Sequence, residues 1–345
     1  MIFLTLLCAT SQAYELYSVN GNDVKWSVNH ATMNIDVNAT ADQEGWIQEA
    51  RSAFYKQGSS FWFAVVNDTD SWAYDNGESE ITFDPDSSLN APAHAVFFHD
   101  SSGVIDECDI LMGDWLPWVG GDRLGNREYV TGGGPEVVSV LVHELGHCAG
   151  LGHEADVYNV MGSAWRHIHT NGDVVSAYVG EDATAGLRYL YGDWSGARDL
   201  GVSHWKYAGA TGAYSDHTRT QLRDVLGTPL TSWTLDIEPG YTLQKDVGVF
   251  PEVTLENNGT SAQSVTLAYM LSSDNEITSS DLELERVTVY LTPDTTTTYA
   301  GTAVTIPGSQ ATGFYHLGVL IDPDSAVSEF NEANNATYLA HVLAY

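Results

Sequence analysis

Three histidines and a glutamate lie in one short stretch of the chain, with the spacing of a metal site. The stretch reads HELGHCAGLGH and occupies residues 143–153. Four residues of helix turn about 400° and rise about 6 Å, so His143 and His147 face the same side and can reach one ion. Gly150 falls where the helix must end, and a left-handed glycine there can turn the chain so that His153 approaches the same ion. Three histidine ligands leave one position of a tetrahedral ion open, which is typical of catalytic zinc.

Glu144 is the candidate general base of this site. It follows His143 but lies about 100° further around the helix axis, close to the metal without being forced to bind it. Zinc lowers the pKa of a water at its open position to about 7, and a neighbouring carboxylate can take a proton from that water. Passing the proton to a leaving amine would complete the hydrolysis of an amide bond. The other histidines we singled out are interpreted as polar or surface residues; they are His94, His99, His167 and His169.

The stretch resembles the HExxHxxGxxH signature of the metzincin metallopeptidases. This resemblance implies a methionine turn beneath the zinc, and Met161 stands at a suitable distance after His153. Segment 105–110 resembles the edge strand along the cleft of matrixin-like secreted bacterial peptidases, and 181–192 resembles their closing helix. Ser163, not a tyrosine, stands two residues after Met161, unlike in the astacin and serralysin branches, so Tyr158 is not assigned a zinc-associated role.

The same resemblance predicts where the substrate binds and how the cysteines pair. An extended peptide is expected to lie along segment 104–112 by strand addition, and the loop after Met161, residues 165–168, is expected to shape the S1′ pocket. Because the active-site helix of this fold packs on the sheet that contains Cys108, a disulfide between Cys108 and Cys148 is expected in an oxidising compartment, with two buried thiols as the alternative. Nothing before the domain resembles a cysteine-switch propeptide.

The pattern of the chain mixes strands and helices, and the metzincin resemblance implies an α+β catalytic domain with a twisted mixed sheet and a long active-site helix. Alternating or apolar runs predict strands at 24–28, 33–37, 61–66, 81–83, 95–98 and 104–112, and helical spacing predicts helices at 41–57, 136–149 and 183–191. From about residue 230 onward Thr, Ser, Val and Asn dominate, and short strand-like runs predict an immunoglobulin-like β-sandwich. The predicted organisation is a signal peptide at 1–13, the catalytic domain at 14–195, a linker at 196–231 and the sandwich at 232–345.

The end of the chain resembles CARDB domains, which are cell-adhesion-related sandwiches attached to secreted bacterial enzymes. The resemblance rests on segment 319–335, VLIDPDSAVSEFNEANN. By analogy it implies binding to a cell-surface or matrix component, although its Asp and Asn residues are individually explained by a tight turn. An extracellular adhesin with a silent or single-substrate metal domain is therefore the alternative to a secreted zinc endopeptidase that acts on proteins or peptides.

The composition of the chain excludes some classes of binding partner. The 345 residues carry 46 acidic and 13 basic side chains, a formal net charge of −33, which argues against nucleic-acid binding and against docking on an anionic membrane. The apolar run at residues 2–9, which contains Cys8, is too short to span a bilayer, and no later run is long enough for membrane insertion. We expect a secreted monomer. A structural calcium ion is a further expectation, without assigned ligands, from the acidic residues Asp100, Asp106, Asp109, Asp114 and Asp122.

Overall fold

A computed structural model of the chain describes most of its residues. The described residues are 14–68, 71–84, 91–120, 134–154, 160–162, 169–172, 174–203, 205–206, 218–235 and 238–345. The predicted signal peptide, Cys8, Asp122, Tyr158 and the predicted S1′ residues 165–168 lie outside this part of the chain. Within it, the protein is mostly β, with three helices, and consists of an α+β domain followed by a β-rich domain.

The N-terminal domain is built on a five-stranded sheet. Its helices are α1 (Ala41–Ala53), α2 (Val137–Cys148) and α3 (Glu181–Tyr191), and its strands are β1 (Ser18–Val19), β2 (Asn22–Asp23), β3 (His30–Ile35), β4 (Trp62–Asn67), β5 (Glu80–Asp84), β6 (Ala93–His99), β7 (Ile105–Gly113), β8 (His169–Asn171) and β9 (Val174–Ser176). The strand order is β4-β3-β5-β7-β6, in which β6 alone runs antiparallel to its neighbour. Of the predicted strand 24–28, only Lys25 makes an isolated bridge, to Val104.

The predicted edge strand is in the wrong place. β7, which contains 105–110, lies inside the sheet between β5 and β6, and the edge is β6. β7 is buried at almost every position, as a strand with neighbours on both sides must be, whereas most of β6 is only partly buried. The strand along which an extended peptide could add is therefore β6, Ala93–His99, and not 104–112 as predicted.

Helices α1 and α2 pack on one face of this sheet. Thr40 and Gln43 form a reciprocal capping box at the start of α1, in which each side chain accepts a bond from the other's backbone N–H. α2 is apolar around most of its circumference, and all of its residues except His143 are buried. Its long apolar face, together with Ile47 and Phe63, forms the core of the domain. The active-site helix is thus fixed on several sides.

The C-terminal domain, which we define as residues 200–345, begins inside the segment predicted as a linker. Its strands are β10 (Leu200–Ser203), β11 (Trp205–Lys206), β12 (Thr218–Arg219), β13 (Leu222–Arg223), β14 (Ser232–Leu235), β15 (Glu238–Leu243), β16 (Gly248–Pro251), β17 (Val253–Asn257), β18 (Gln263–Ser272), β19 (Leu282–Leu291), β20 (Thr295–Tyr299), β21 (Val304–Thr305), β22 (Gly313–Ile321) and β23 (Ala336–Ala344). β10 pairs with β17 and β13 with β16, so parts of 196–231 belong to its sheets.

The larger sheet of this domain has the order β14-β15-β23-β22-β18-β19, and two three-stranded sheets have the orders β10-β17-β20 and β13-β16-β21. Apolar residues from all three sheets form one buried cluster, in which Leu255, Leu267 and Val319 are fully enclosed. Among the described residues, no helix is long and apolar enough to cross a bilayer.

Candidate metal centre

Helix α2 places two of the three histidines. At its start the Glu136 side chain accepts bonds from the Val138 and Ser139 backbone N–H groups, which satisfies two donors of the first turn. At its end Gly150 adopts a φ of +94°, and a Cβ there would lie 2.2 Å from the Val24 carbonyl oxygen. A side chain at 150 is therefore excluded by space as well as by conformation, and the chain turns sharply toward His153.

The three imidazoles converge. One nitrogen from each of His143, His147 and His153 lies within 4.8 Å of the others, and the Nε2 atoms of His143 and His153 are 3.1 Å apart. The Nδ1–H of His143 donates to the Val160 carbonyl at 2.7 Å, and that of His147 donates to the Leu151 carbonyl at 2.8 Å. These bonds leave both Nε2 atoms with free lone pairs that face a common point.

Burial keeps these imidazoles neutral. Burial, together with the neighbouring histidines, lowers the pKa of His143 to about 4 and that of His147 to about 3. Burial also lowers the pKa of His153. A neutral imidazole is the form that binds a metal ion, so the electrostatics agree with the geometry. The donor set, three nitrogen ligands with an open side, fits catalytic zinc.

Glu144 lines the same cavity as the three histidines. This cavity has a volume of about 340 Å³. Burial raises the pKa of Glu144 to about 8, and a bond from the backbone N–H of Ala95 opposes the rise. Ala95 lies on the edge strand β6, so the carboxylate lies between the histidines and the strand where an extended chain could add.

Met161 lies directly beneath α2. A Cβ built on Gly146 would lie 2.3 Å from the Met161 sulfur, so the methionine fills the space that a side chain at 146 would need. The Met161 carbonyl accepts from the Glu154 N–H at 3.1 Å, and the preceding carbonyl, of Val160, holds His143. The turn at 160–162 is thus bonded to the helix and to the loop that carries His153.

Cys108 and Cys148 form a disulfide with their Cα atoms 5.6 Å apart. It links β7 to the last residue of α2, immediately after His147. The pair was expected from the resemblance, with free thiols as the alternative.

Tyr17 is a residue of the site that the sequence did not suggest. Its hydroxyl lies 3.4 Å from His147 Nδ1, and its ring lies 4.9 Å from that of Phe97 on β6. The segment before it pairs with the loop after α2, because Tyr17 N–H donates to Gly150 at 3.2 Å and Gly152 N–H donates to Glu15 at 2.8 Å. Tyr17 is 130 residues from His147, and no local pattern marks such a contact.

Among the described residues, the aspartates considered for calcium do not form a cluster that could hold a metal ion. The Asp100 carboxylate closes its own turn by accepting from Ser102 and Val104, and Asp106 and Asp114 are exposed. Asp109 is buried beside Glu107, and burial with that charge raises its pKa to about 8. Calcium therefore stays a prediction without ligands.

Of the other histidines singled out in the sequence, those that the structure describes do not join the metal-binding group. Exposed His94 borders the cavity, His99 Nδ1 donates to the Asp100 carbonyl at 2.9 Å, and His169 is buried against the C-terminal domain. His167 lies outside the described residues.

Comparisons with known proteins agree with this arrangement. The matrixin family model matches residues 22–192, and the CARDB family model matches residues 247–338. No curated protein matches the chain.

Solved structures similar to the chain include a CARDB domain from Pyrococcus furiosus in complex with di-metal ions. It is 16% identical, with 43% of this chain and 90% of that chain covered and a TM-score of 0.26. Another is catalytically inactive OgpA from Akkermansia muciniphila in complex with an O-glycopeptide substrate. It is 8% identical, with 89% of this chain and 91% of that chain covered and a TM-score of 0.23. The two family matches confirm both resemblances: the chain contains a matrixin domain at residues 22–192 and a CARDB domain at residues 247–338.

Proposed function

We propose that this protein is a secreted zinc endopeptidase. The observation that carries the proposal is the convergence of three neutral histidines with the buried Glu144 in one cavity beside an edge strand. In this proposal residues 1–13 direct secretion, and the C-terminal domain, of immunoglobulin-like architecture, binds a cell-surface or matrix component.

His143, His147 and His153 would hold the zinc ion. When bound, zinc supplies Lewis-acid polarisation of the scissile carbonyl and acidifies water. The Nδ1 bonds to Val160 and Leu151 orient two of the rings and fix the tautomer that leaves Nε2 free. Met161 supports the helix from below, against Gly146.

Glu144 would move the proton. A carboxylate in this position accepts a proton from the attacking water and returns it to the nitrogen of the leaving amine, so that the peptide C–N bond breaks with no net change in the enzyme. A raised pKa suits both halves of this task near neutral pH, because the group gains and loses a proton with little difference in free energy.

The substrate would lie along β6. As the terminal strand of its sheet it has backbone groups that no neighbouring strand pairs, and an extended peptide can add to them. The Ala95 N–H, which points from β6 to Glu144, shows that this edge faces the cavity. A peptide added there would pass its scissile bond beside the glutamate.

The test is zinc content together with hydrolysis of a broad protein panel that begins with casein. The proposal expects one zinc per chain and cleavage that a chelator abolishes and added zinc restores. Zinc binding with no cleavage of any protein would favour the alternative, an adhesin whose metal domain is silent or restricted to one target. Absence of zinc would overturn the ligand assignment itself.

A further inference from the structure

The six-stranded sheet of the C-terminal domain has one face on the core and one outer face. Part of the outer face is covered by the chain that follows β18. There Ile277 packs against Met270 and Tyr338, and a Cβ on Gly318 would lie 2.3 Å from the Ile277 side chain. The apolar residues of this part of the face are thus buried within the domain itself.

The rest of the outer face carries a row of rings that this chain does not cover. Directly paired residues form the row across four strands, in the order Trp233–Gly240–His341–His316. Paired residues share one face of a sheet, and successive residues alternate between faces. The neighbours Tyr241, Leu317 and Val342 lie in the core, so the row points away from it.

Trp233 is seated flat on this face. A Cβ built on Gly240 would lie only 2.3–2.4 Å from three atoms of the indole ring, so the ring occupies the space of a side chain at 240. The His341 ring is nearly parallel to the indole, at 21° and 6.4 Å, and the Phe314 ring meets it edge to face at 6.3 Å. The glycine is required for the ring to lie down.

The other rings are also held in place while part of their surface stays accessible. His341 Nδ1 and His316 Nε2 lie 3.1 Å apart, within hydrogen-bond distance, and the His316 ring packs edge to face on Tyr338 at 5.6 Å. Phe314 is 68% exposed, and Trp233 and His316 are partly exposed. A single exposed apolar side chain needs no explanation, but four neighbouring rings with fixed orientations indicate a binding surface.

The size of this surface argues against a protein partner. Three strand spacings of about 4.8 Å make it about 14 Å wide, and two rows of residues make it about 7 Å deep. The resulting area of roughly 100 Å² is far below the roughly 800 Å² per partner of a stable protein interface. A ligand that is narrow, such as an extended chain of small rings, fits these dimensions.

The charge of the surface narrows the ligand further. Apart from the histidines, the row and the adjacent row, Thr242–Leu343–Phe314, contain no acidic or basic residue. The chain as a whole has a formal net charge of −33, which repels acidic polymers and anionic membranes. The ligand should therefore be uncharged, with an apolar face for the rings and polar edges for the imidazole nitrogens.

We propose that the Trp233 face, defined as Trp233, Phe314, His316 and His341, binds a neutral polysaccharide. A sugar ring presents C–H groups that pack on the negative face of an indole, and its hydroxyls can exchange hydrogen bonds with imidazole nitrogens. This inference rests on the proposed binding role of the C-terminal domain, whose component it assigns to a chemical class. It does not depend on the zinc site.

The test measures how much full-length protein is removed from solution by insoluble cellulose, chitin, xylan and mannan, with gelatin beads as a protein matrix. A chelator is present throughout, so that cleavage plays no part. Trp233→Ala and Phe314→Ala remove rings of the Trp233 face. Tyr290→Ala is the matched control, because Tyr290 is a 69% exposed ring on β19 of the same sheet, outside this face. Thermal unfolding checks that each variant folds.

We expect the native protein to bind at least one of the four polysaccharides, with a change in tryptophan fluorescence when the matching hexasaccharide is added. Trp233→Ala should weaken binding about tenfold and abolish the fluorescence change, Phe314→Ala should weaken it severalfold, and Tyr290→Ala should leave it unchanged. Equal binding by Trp233→Ala and Tyr290→Ala would overturn the proposal. Binding to gelatin alone would overturn it while the binding role of the domain stands, and binding to none of the matrices would contradict both.

Discussion

The Met161 sulfur occupies the space that a side chain at residue 146 would need, 2.3 Å from the position of a Cβ on Gly146. Gly146 lies within α2, between Glu144 and His147. Glycine inside a helix costs about 1 kcal/mol relative to alanine, so its presence here indicates a requirement for space.

Gly146→Ala should therefore destabilise the protein although it improves helix propensity. We expect the free energy of unfolding to fall by about 1–3 kcal/mol, the usual cost of overpacking a core. Urea denaturation of the native protein and the variant measures this. The control is Gly45→Ala at an exposed position of α1, where a Cβ meets nothing within 4 Å. A more stable G146A would show that Met161 moves away freely.

The disulfide should contribute to stability. It closes a loop of 40 residues, which corresponds to about 2–4 kcal/mol of unfolding free energy. The double variant Cys108→Ala, Cys148→Ala should lose this amount and become insensitive to reductant, while the native protein should lose a comparable amount when reduced. Equal stability of the oxidised protein and the double variant would contradict the expectation.

The stabilisation that three buried carboxyls give the zinc-free protein should fall as pH rises from about 5 to 8. Burial raises the pKa of Glu136 and of Asp199 to about 7 and that of Glu329 to about 8, well above the values of unfolded carboxyl groups. At these three groups the folded state binds more protons than the unfolded state over this range, and each group lowers stability by up to about 1.4 kcal/mol per pH unit. The buried histidines, whose pKa values are lowered, contribute the opposite slope below about pH 6.5, so the carboxyl contribution is measured by comparing variants.

Glu136→Gln should remove the contribution of Glu136 to the pH dependence of stability between about pH 5 and 7. The variant should still fold, because the amide oxygen can accept a hydrogen bond at the start of α2. Chemical denaturation at several pH values, with a chelator present, measures the slope. Equal slopes in the native protein and in Glu136→Gln would show that Glu136 is ionised in the fold.

The hydroxyl of Tyr17 should contribute little to zinc binding. The His147 Nδ1–H already donates to Leu151 at 2.8 Å, against 3.4 Å to Tyr17, so the phenol is the weaker partner. We expect Tyr17→Phe to weaken zinc binding less than about tenfold in competition with a fluorescent chelator. A loss of 100-fold would give Tyr17 a direct part in holding the ligand.

The sequence predicted the convergence of the three histidines because helical spacing is a local property. Helical spacing alone places His143 and His147 together, and a glycine at 150 brings His153 back. The edge strand was misassigned because it was placed by resemblance: three of the first five residues of 105–113 are acidic, and only the fold shows that this strand is buried between two neighbours. The contact of Tyr17 with His147, and the hydrogen bonds of Ile277 and Thr337 to residues 170–171, join residues far apart in the chain, and no single-sequence pattern encodes such contacts.

Part of the segment predicted as a linker, 196–231, pairs with strands of the C-terminal domain. Leu200–Ser203 is too short and irregular to stand out as a strand, and it becomes one only by pairing with Val253–Asn257. Local pattern predicted a β-rich domain here, whereas these first strands depend on long-range pairing.

The most direct test of the account is the turnover of a peptide substrate by Glu144→Gln, with the zinc content of the same preparation. We expect one zinc per chain in both proteins and a fall in kcat of at least about 100-fold in the variant, because the base that moves the proton is gone while the ligands remain. Unchanged kcat with zinc retained would contradict the role of Glu144 and the proposed mechanism with it.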